Sequence, residues 1–273
     1  MNPSLQEINE IIMLCDEMVN FVDSRGNIRN GNSLYNEYKK RINDFVKEQE
    51  LSQRDYAPYV VLDSFYFSSS LYYLNISEVE MIRRTVIELK HELFPDSFDR
   101  IFISHREKNK DQVAAFMDLL YSIGIPRPTA TQPESMIFCT SHPATYLENG
   151  SRNLEEIKEQ FTNSSHTFYI LWYTDDYFES QACLNEAGAI WAMGKKYQEI
   201  LSPRFDSKKI GGLLDKQPVW FKADDKFRLN SFKEQIEQMF GLAPISANAW
   251  EMARDTFIER IQTILEKAQE KTK

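Results

Sequence analysis

The chain has 273 residues, 42% of them hydrophobic and 27% charged, the make-up of a globular protein with room for one large core or two modest ones. Its net charge of −9 excludes nucleic acid as the main partner, since phosphate contacts need concentrated Lys and Arg, but leaves room for one basic pocket holding a phosphorylated small molecule. Cys15, Cys139 and Cys183 are odd in number and widely spaced in apolar segments, which excludes a disulfide framework or a zinc spacing and suits a reducing cytosol.

The first residues, MNPSLQEINE, do not join a positive stretch to an apolar one, and no apolar run reaches the about 20 residues that cross a bilayer. A cytoplasmic chain without membrane contact is expected. Ile8, Ile11, Ile12, Cys15, Met18, Val19 and Val22 recur at helical spacing, behind a capping box of Ser4 and Glu7. SRGNIRNGNS breaks that pattern, and a second helix is expected from about Leu34 to Glu50, with Tyr35, Tyr38, Ile42 and Phe45 on one side. The segment from Ala57 to Asn75 has strand-forming residues (Val60, Val61, Phe65 to Phe67), yet its length and flanks favour a buried helix. Ser77 to Leu93 is an amphipathic helix carrying Val79, Ile82, Val86, Ile87 and Leu89, closed by FPDSFD. The front segment therefore reads as an α-helical bundle over residues 1–96, and a second domain over 97–273.

After that turn the rhythm changes. Arg100 to Ser104 (RIFIS) is a short strand, followed by a helix through Val113, Phe116, Leu119, Leu120 and Ile123 that ends at Gly124. Met136 to Cys139 is a second strand, then come a loop and a helix through Leu154, Ile157 and Phe161. Thr167 to Trp172 is a third strand and Ser180 to Met193 a helix. Glu199 to Ser202 and Val219 to Lys222 are the fourth and fifth strands, with a helical turn around Ile210 to Leu214 between them. A long helix from about Asn248 to Lys271 ends the pattern. Alternating strands and helices imply an α/β fold with a five-stranded parallel sheet, in the flavodoxin-like order 2-1-3-4-5. Ligands of such sheets sit where the strand order reverses, so the functional residues should follow the first and third strands: Ser104 and His105, and the stretch from Tyr173 to Glu186.

Those stretches read FISHREKNKDQV and YFESQACLNEAGAIW, and the second strand reads IFCTS. The order is a strand ending in Ser-His, a strand ending in F-C-x-S, then Y-x-x-S-x-x-C-x-x-E as Tyr177, Ser180, Cys183 and Glu186. Together they resemble the bacterial, NAD-cleaving branch of the Toll/interleukin-1 receptor (TIR) family, over roughly Asp99 to Leu214 and more loosely over the final helix.

The resemblance implies a TIR-domain NAD+ glycohydrolase or ADP-ribosyl cyclase that breaks the bond between nicotinamide and ribose, with Glu186 as the catalytic carboxylate. Nicotinamide leaves as a neutral base from a cationic substrate, so no acid is required. One carboxylate suffices to stabilise the oxocarbenium-like ribose and hold its hydroxyls. Substrate contacts are expected from Ser104, His105, Phe138, Trp172, Tyr173, Ser180, Cys183 and Arg152. Several have ordinary alternatives: strand-end capping for Ser104 and His105, core packing for Phe138, Trp172 and Tyr173, and a surface position for Arg152. Cys183 reads as a small buried residue rather than a nucleophile, because no base stands beside it in the sequence. The loop from Ser141 to Arg152 corresponds to the family's BB loop. Ala182 departs from the bulky aromatic usual before the motif Cys, which leaves hydrolysis and cyclisation both open, and Asn109 replaces a more usual acidic residue.

No P-loop, dinucleotide fingerprint, nucleophile elbow or H-E-x-x-H zinc motif occurs, and the four histidines show no metal-ligand spacing. NAD+ is thus expected as substrate, with no further cofactor and no metal. The resemblance to TIR proteins of Thoeris-type antiphage systems implies a defence role. It also implies self-association through the TIR domain and the N-terminal helices, and a downstream effector that reads cyclic ADP-ribose. The alternative is a non-catalytic TIR adaptor acting through TIR–TIR interactions.

Overall fold

The computed structural model describes residues 4–19, 26–29, 36–38, 40–41, 44–45, 73–128, 135–139, 166–210 and 220–270. The chain divides into two units, Met1–Ser97 and Phe98–Lys273.

In the first unit, α1 (Leu5–Val19) starts on a reciprocal cap: the Ser4 amide donates to Glu7 at 2.6 Å and the Glu7 amide to Ser4 Oγ at 3.1 Å. Its apolar stripe (Ile8, Ile11, Cys15, Met18) packs with Val79, Ile82, Val86 and Leu89 of α2 (Ile76–Leu93), and Tyr38 and Phe45 complete that core. Residues 36–38, 40–41 and 44–45 are helical, within the helix expected from Leu34 to Glu50. This unit is not wholly helical, as the sequence suggested. Two short strands, β1 (Asn27–Arg29) and β2 (Tyr73–Asn75), pair antiparallel, so residues 73–75 are extended rather than the end of a helix. The remainder of the Ala57–Asn75 segment lies outside the described residues.

The second unit holds a five-stranded, all-parallel sheet of β3 (Arg100–Ser104), β4 (Ile137–Phe138), β5 (Thr167–Tyr173), β6 (Tyr197–Leu201) and β7 (Phe221–Lys222). Its order is β4-β3-β5-β6-β7, the 2-1-3-4-5 arrangement. β5 lies at the centre, with Ser104 opposite Leu171 on one side and Tyr173 opposite Leu201 on the other. All seven residues of β5 are buried because both faces of the sheet are covered, which is why it reads as one unbroken apolar run.

One face carries Ile101, Ile103, Phe168, Ile170 and Trp172, and packs on α3 (Lys110–Ile123), α6 (Lys226–Phe240) and α7 (Ala247–Glu270). The helix α6 has no counterpart among the elements expected from the sequence, although Leu229, Phe232, Ile236, Met239 and Phe240 recur on one side of it. The other face carries Phe102, Tyr169, Leu171, Tyr173 and Leu201 beneath α4 (Asp175–Phe178) and α5 (Gln181–Ala192). The expected helix through Leu154, Ile157 and Phe161 and the turn from Gly211 to Leu214 fall outside the described residues. Among the described residues, no helix is long and apolar enough to cross a membrane.

Candidate functional site

Side chains alternate across a strand, so Ser104, two residues past Phe102, closes β3 on the face covered by α4 and α5. Tyr173 ends β5 on the same face, at the reversal point of the strand order. The chain then turns immediately into α4. Thr174 caps this short helix by accepting from the Tyr177 amide at 3.1 Å, while its hydroxyl donates to Asn109 Oδ1 at 2.8 Å. Asn109, the departure from an acidic residue, is thus the acceptor that ties the segment after β3 to the end of β5.

Ser180 caps α5 in turn, accepting from the Cys183 amide at 3.4 Å. From this cap the spacing of three puts Cys183 and Glu186 one above the other on the inward side of the helix. Ala187 and Ile190 continue the same buried side. The Y-x-x-S-x-x-C-x-x-E pattern therefore has a local physical reason: a ring beneath the turn, a cap, a small buried residue and a carboxylate.

These elements bring Ser104, Tyr177 and Glu186 together. Ser104 Oγ donates to Glu186 Oε2 at 2.6 Å and lies 2.9 Å from the Tyr177 hydroxyl, which donates to the Cys183 carbonyl at 3.1 Å. Burial raises the Glu186 carboxyl above the ordinary carboxylate range, and the Ser104 hydrogen bond opposes this. Burial also pushes the Tyr177 phenol well above its usual value. The Cys183 thiol is raised by burial, with the charge of Glu186 adding to it and Ser180 and Arg106 acting against it.

His105 is buried at the end of β3, with Nδ1 3.3 Å from the Ile103 carbonyl and both ring nitrogens within 3.7 Å of Cys139 Sγ. A carbonyl only accepts, so Nδ1 carries the proton. Burial lowers the imidazole pKa and so favours the neutral ring, against the Ile103 carbonyl and Glu107, which favour the charged one.

The aromatic candidates divide. Phe138 is partly buried and stacks on Phe102 at 5.5 Å. Trp172 and Tyr173 are fully buried, and neither presents an open face for a base, correcting the stacking expected of them. Trp172 Nε1 donates to Gln112 at 3.4 Å and its ring packs on Phe116; the Tyr173 hydroxyl donates to Glu199 Oε1 at 3.0 Å. The reason is parity: consecutive residues of β5 face opposite sides, and both sides are covered. Arg152 and the loop from Ser141 lie outside the described residues.

Two groups escaped the sequence reading. Glu199 is a buried carboxyl raised by burial, with Tyr173 as its partner. Arg106 is exposed, follows His105 directly and lies near enough to Cys183 to influence its thiol. Lys108 and Lys209 are engaged with Asp176 and Asp175 of α4, whereas Arg106 has no ion-pair partner among the described residues. Its position, directly after a strand at the sheet's reversal point, was the available signal. Among the described residues no cluster of His, Cys, Asp and Glu is arranged to hold a metal.

Fold and site define an α/β protein with a doubly covered parallel sheet and a half-buried carboxyl held by a serine at the strand ends. No family model matches the chain, and no solved structure matches it. The chain is similar to the uncharacterized protein YddK of Bacillus subtilis (strain 168), 30% identical over 163 residues. That alignment covers 60% of this chain and 57% of the relative, so the chain spans little more than half the length of the curated protein it matches.

Proposed function

We propose that the second unit is a TIR domain of the NAD-cleaving kind, a glycohydrolase or ADP-ribosyl cyclase with Glu186 as its catalytic carboxylate. The observation that carries this reading is the Ser104–Glu186 pair at the reversal point of the sheet, where the motif resemblance and the ligand rule for parallel sheets coincide.

The chemistry fits one carboxylate. As the C1′–N bond breaks, its electron pair goes to the nicotinamide nitrogen, which becomes neutral, and positive charge moves onto the ribose. A desolvated Glu186 carboxylate stabilises that charge more strongly than a hydrated one would. Water then adds to C1′ and gives up a proton to yield ADP-ribose, or an adenine nitrogen adds to give a cyclic isomer. Ser104 fixes the carboxylate, and the partly buried Phe138 edge is the remaining aromatic candidate for a base. Arg106, exposed and without an ion-pair partner among the described residues, is a candidate pyrophosphate contact.

A cytoplasmic role in antiphage defence follows from the same resemblance. So do self-association through the TIR domain and N-terminal helices, and release of a cyclic ADP-ribose signal to an effector. The test is to incubate the purified chain with NAD+ and separate nicotinamide, ADP-ribose and its cyclic isomers by chromatography. Nicotinamide appearing with one of the ADP-ribose products is expected. No nicotinamide at high protein concentration would overturn the enzyme reading and leave the adaptor.

A further inference from the structure

Glu186, Ser104, Tyr177 and the Cys183 carbonyl form three successive polar contacts, of 2.6, 2.9 and 3.1 Å. Ser104 and Tyr177 contribute one hydroxyl proton each. When Glu186 is a carboxylate, two protons serve three contacts and one contact stays empty. When Glu186 carries a proton on Oε2, three protons fill all three in a single direction: Glu186 to Ser104, Ser104 to Tyr177, and Tyr177 to the carbonyl. Ser104 is 1% exposed and Tyr177 wholly buried, so water does not fill the gap. An unfilled polar contact in such surroundings carries a real cost.

We infer that Tyr177 is a positioning residue for Glu186: its hydroxyl both accepts from Ser104 and donates to the Cys183 carbonyl, so the chain of contacts is complete only when the Glu186 carboxyl carries a proton. Ser104 and Tyr177 then act in opposite senses. Ser104 donates the hydrogen bond that a carboxylate accepts and favours the ionised form. Tyr177 gives the Ser104 proton a second acceptor and favours the neutral form.

The other titratable groups around this chain leave it intact. On β6, Glu199 accepts from Tyr173 of β5, and its charge reaches Tyr177 only through space. The Cys183 thiol on α5 is kept protonated by burial. Burial favours the neutral form of His105, and Arg106 stands on the solvent side. None of these donates a hydrogen bond to the hydroxyls of Ser104 or Tyr177 among the described residues.

The consequence for the reaction rests on the NAD-cleaving reading. In the empty site the complete chain of contacts favours a protonated Glu186, and a substrate with a cationic nicotinamide ring, whose ribose hydroxyls donate to the carboxylate, favours loss of the Glu186 proton to solvent. That favours nucleotides with a cationic nicotinamide ring over their reduced counterparts, whose ring is neutral.

The direct test needs no substrate. Carboxyl carbons of glutamate are labelled with 13C in the full chain, the Glu186 signal is assigned with Glu186→Gln, and its titration is followed by NMR. Tyr177→Phe keeps the ring and its packing against Tyr173, and is expected to lower the Glu186 midpoint by about half to one pH unit, the equivalent of one net hydrogen bond. Ser104→Ala is expected to raise the midpoint. In the Ser104→Ala background, Tyr177→Phe should have no effect, because Tyr177 acts only through Ser104. Tyr173→Phe, which touches Glu199 instead, should leave the midpoint where it is. A midpoint that rises or stays put in Tyr177→Phe, or a Tyr177 effect that persists without Ser104, would overturn the inference. Absence of nicotinamide release would overturn the proposed reaction and leave this titration result untouched.

Discussion

A half-buried carboxyl is a local cost that a fold carries only for a reason, and Glu186 makes that cost measurable. Its folded-state pKa lies above the ordinary 4.5 because burial disfavours the charge more than Ser104 restores it. The folded chain therefore binds this proton more tightly than the unfolded chain. The group's stabilising contribution is present below about pH 4.5 and is lost as pH rises through the folded-state midpoint. At neutral pH the ionised group is a liability. Glu186→Gln, which keeps an acceptor for Ser104, should melt a few degrees higher than the parent at pH 7. The gain should vanish near about pH 4, where both states of the parent are protonated. Melting curves across that range check it, and a variant less stable than the parent at pH 7 would show that the carboxylate is well solvated.

Residues of this kind were partly legible. The meeting of Ser104 and Glu186 could be read from strand order alone, since one ends the first strand of the sheet and the other follows the third. Arg106 is less legible: its place directly after the strand is a signal, but a lone arginine there looks like any surface residue until the ion pairs of Lys108 and Lys209 are known.

At the scale of elements, the sheet is sewn to its helices by aromatic contacts. Phe116 of α3 meets Trp172 of β5 at 5.3 Å, Phe232 of α6 at 5.8 Å and Phe257 of α7 at 6.0 Å between ring centroids. It joins four elements and is fully buried. Phe116→Ala should cost about 3–5 kcal/mol, the usual toll of a large cavity in a close-packed core. Chemical denaturation of the full chain reads that loss as a lower midpoint at unchanged slope. A loss under about 1 kcal/mol would mean that the three helices repack around the gap. Ser104 lies on the face of the sheet opposite Phe116, and Tyr177 in α4 packs over that face, so the same variant probes the core without touching the site's hydrogen bonds.

Here too the sequence was readable in one respect and silent in another. The unbroken run TFYILWY announces a strand covered on both sides, and β5 is that strand. What the run cannot announce is which helix covers each side. For that reason the sequence leaves Trp172 open as a stacking surface, whereas it lies in the α3 layer. The helix α6 is hard to see in the sequence because Lys226, Arg228, Lys233 and Glu234 interrupt its apolar stripe in linear order, although the stripe is regular once wound. The β1–β2 ribbon was missed for a different reason. Its strands are three residues each, too short to show a period of two, and they lie far apart in the chain.

At the scale of the whole molecule, each unit has a hydrophobic core of its own: α1 with α2 in the first, and the sheet with its two helix layers in the second. The residues of the proposed chemistry all belong to the second. The central claim is that Glu186 carries out cleavage of the nicotinamide–ribose bond. The most direct measurement is the rate of nicotinamide release from NAD+ by the full chain and by Glu186→Gln, side by side, with folding of both checked by circular dichroism. The proposed function predicts steady release by the parent and a loss of about 10²–10³-fold or more in the variant, the scale on which removing a transition-state charge partner registers. Equal rates in the two proteins would contradict it.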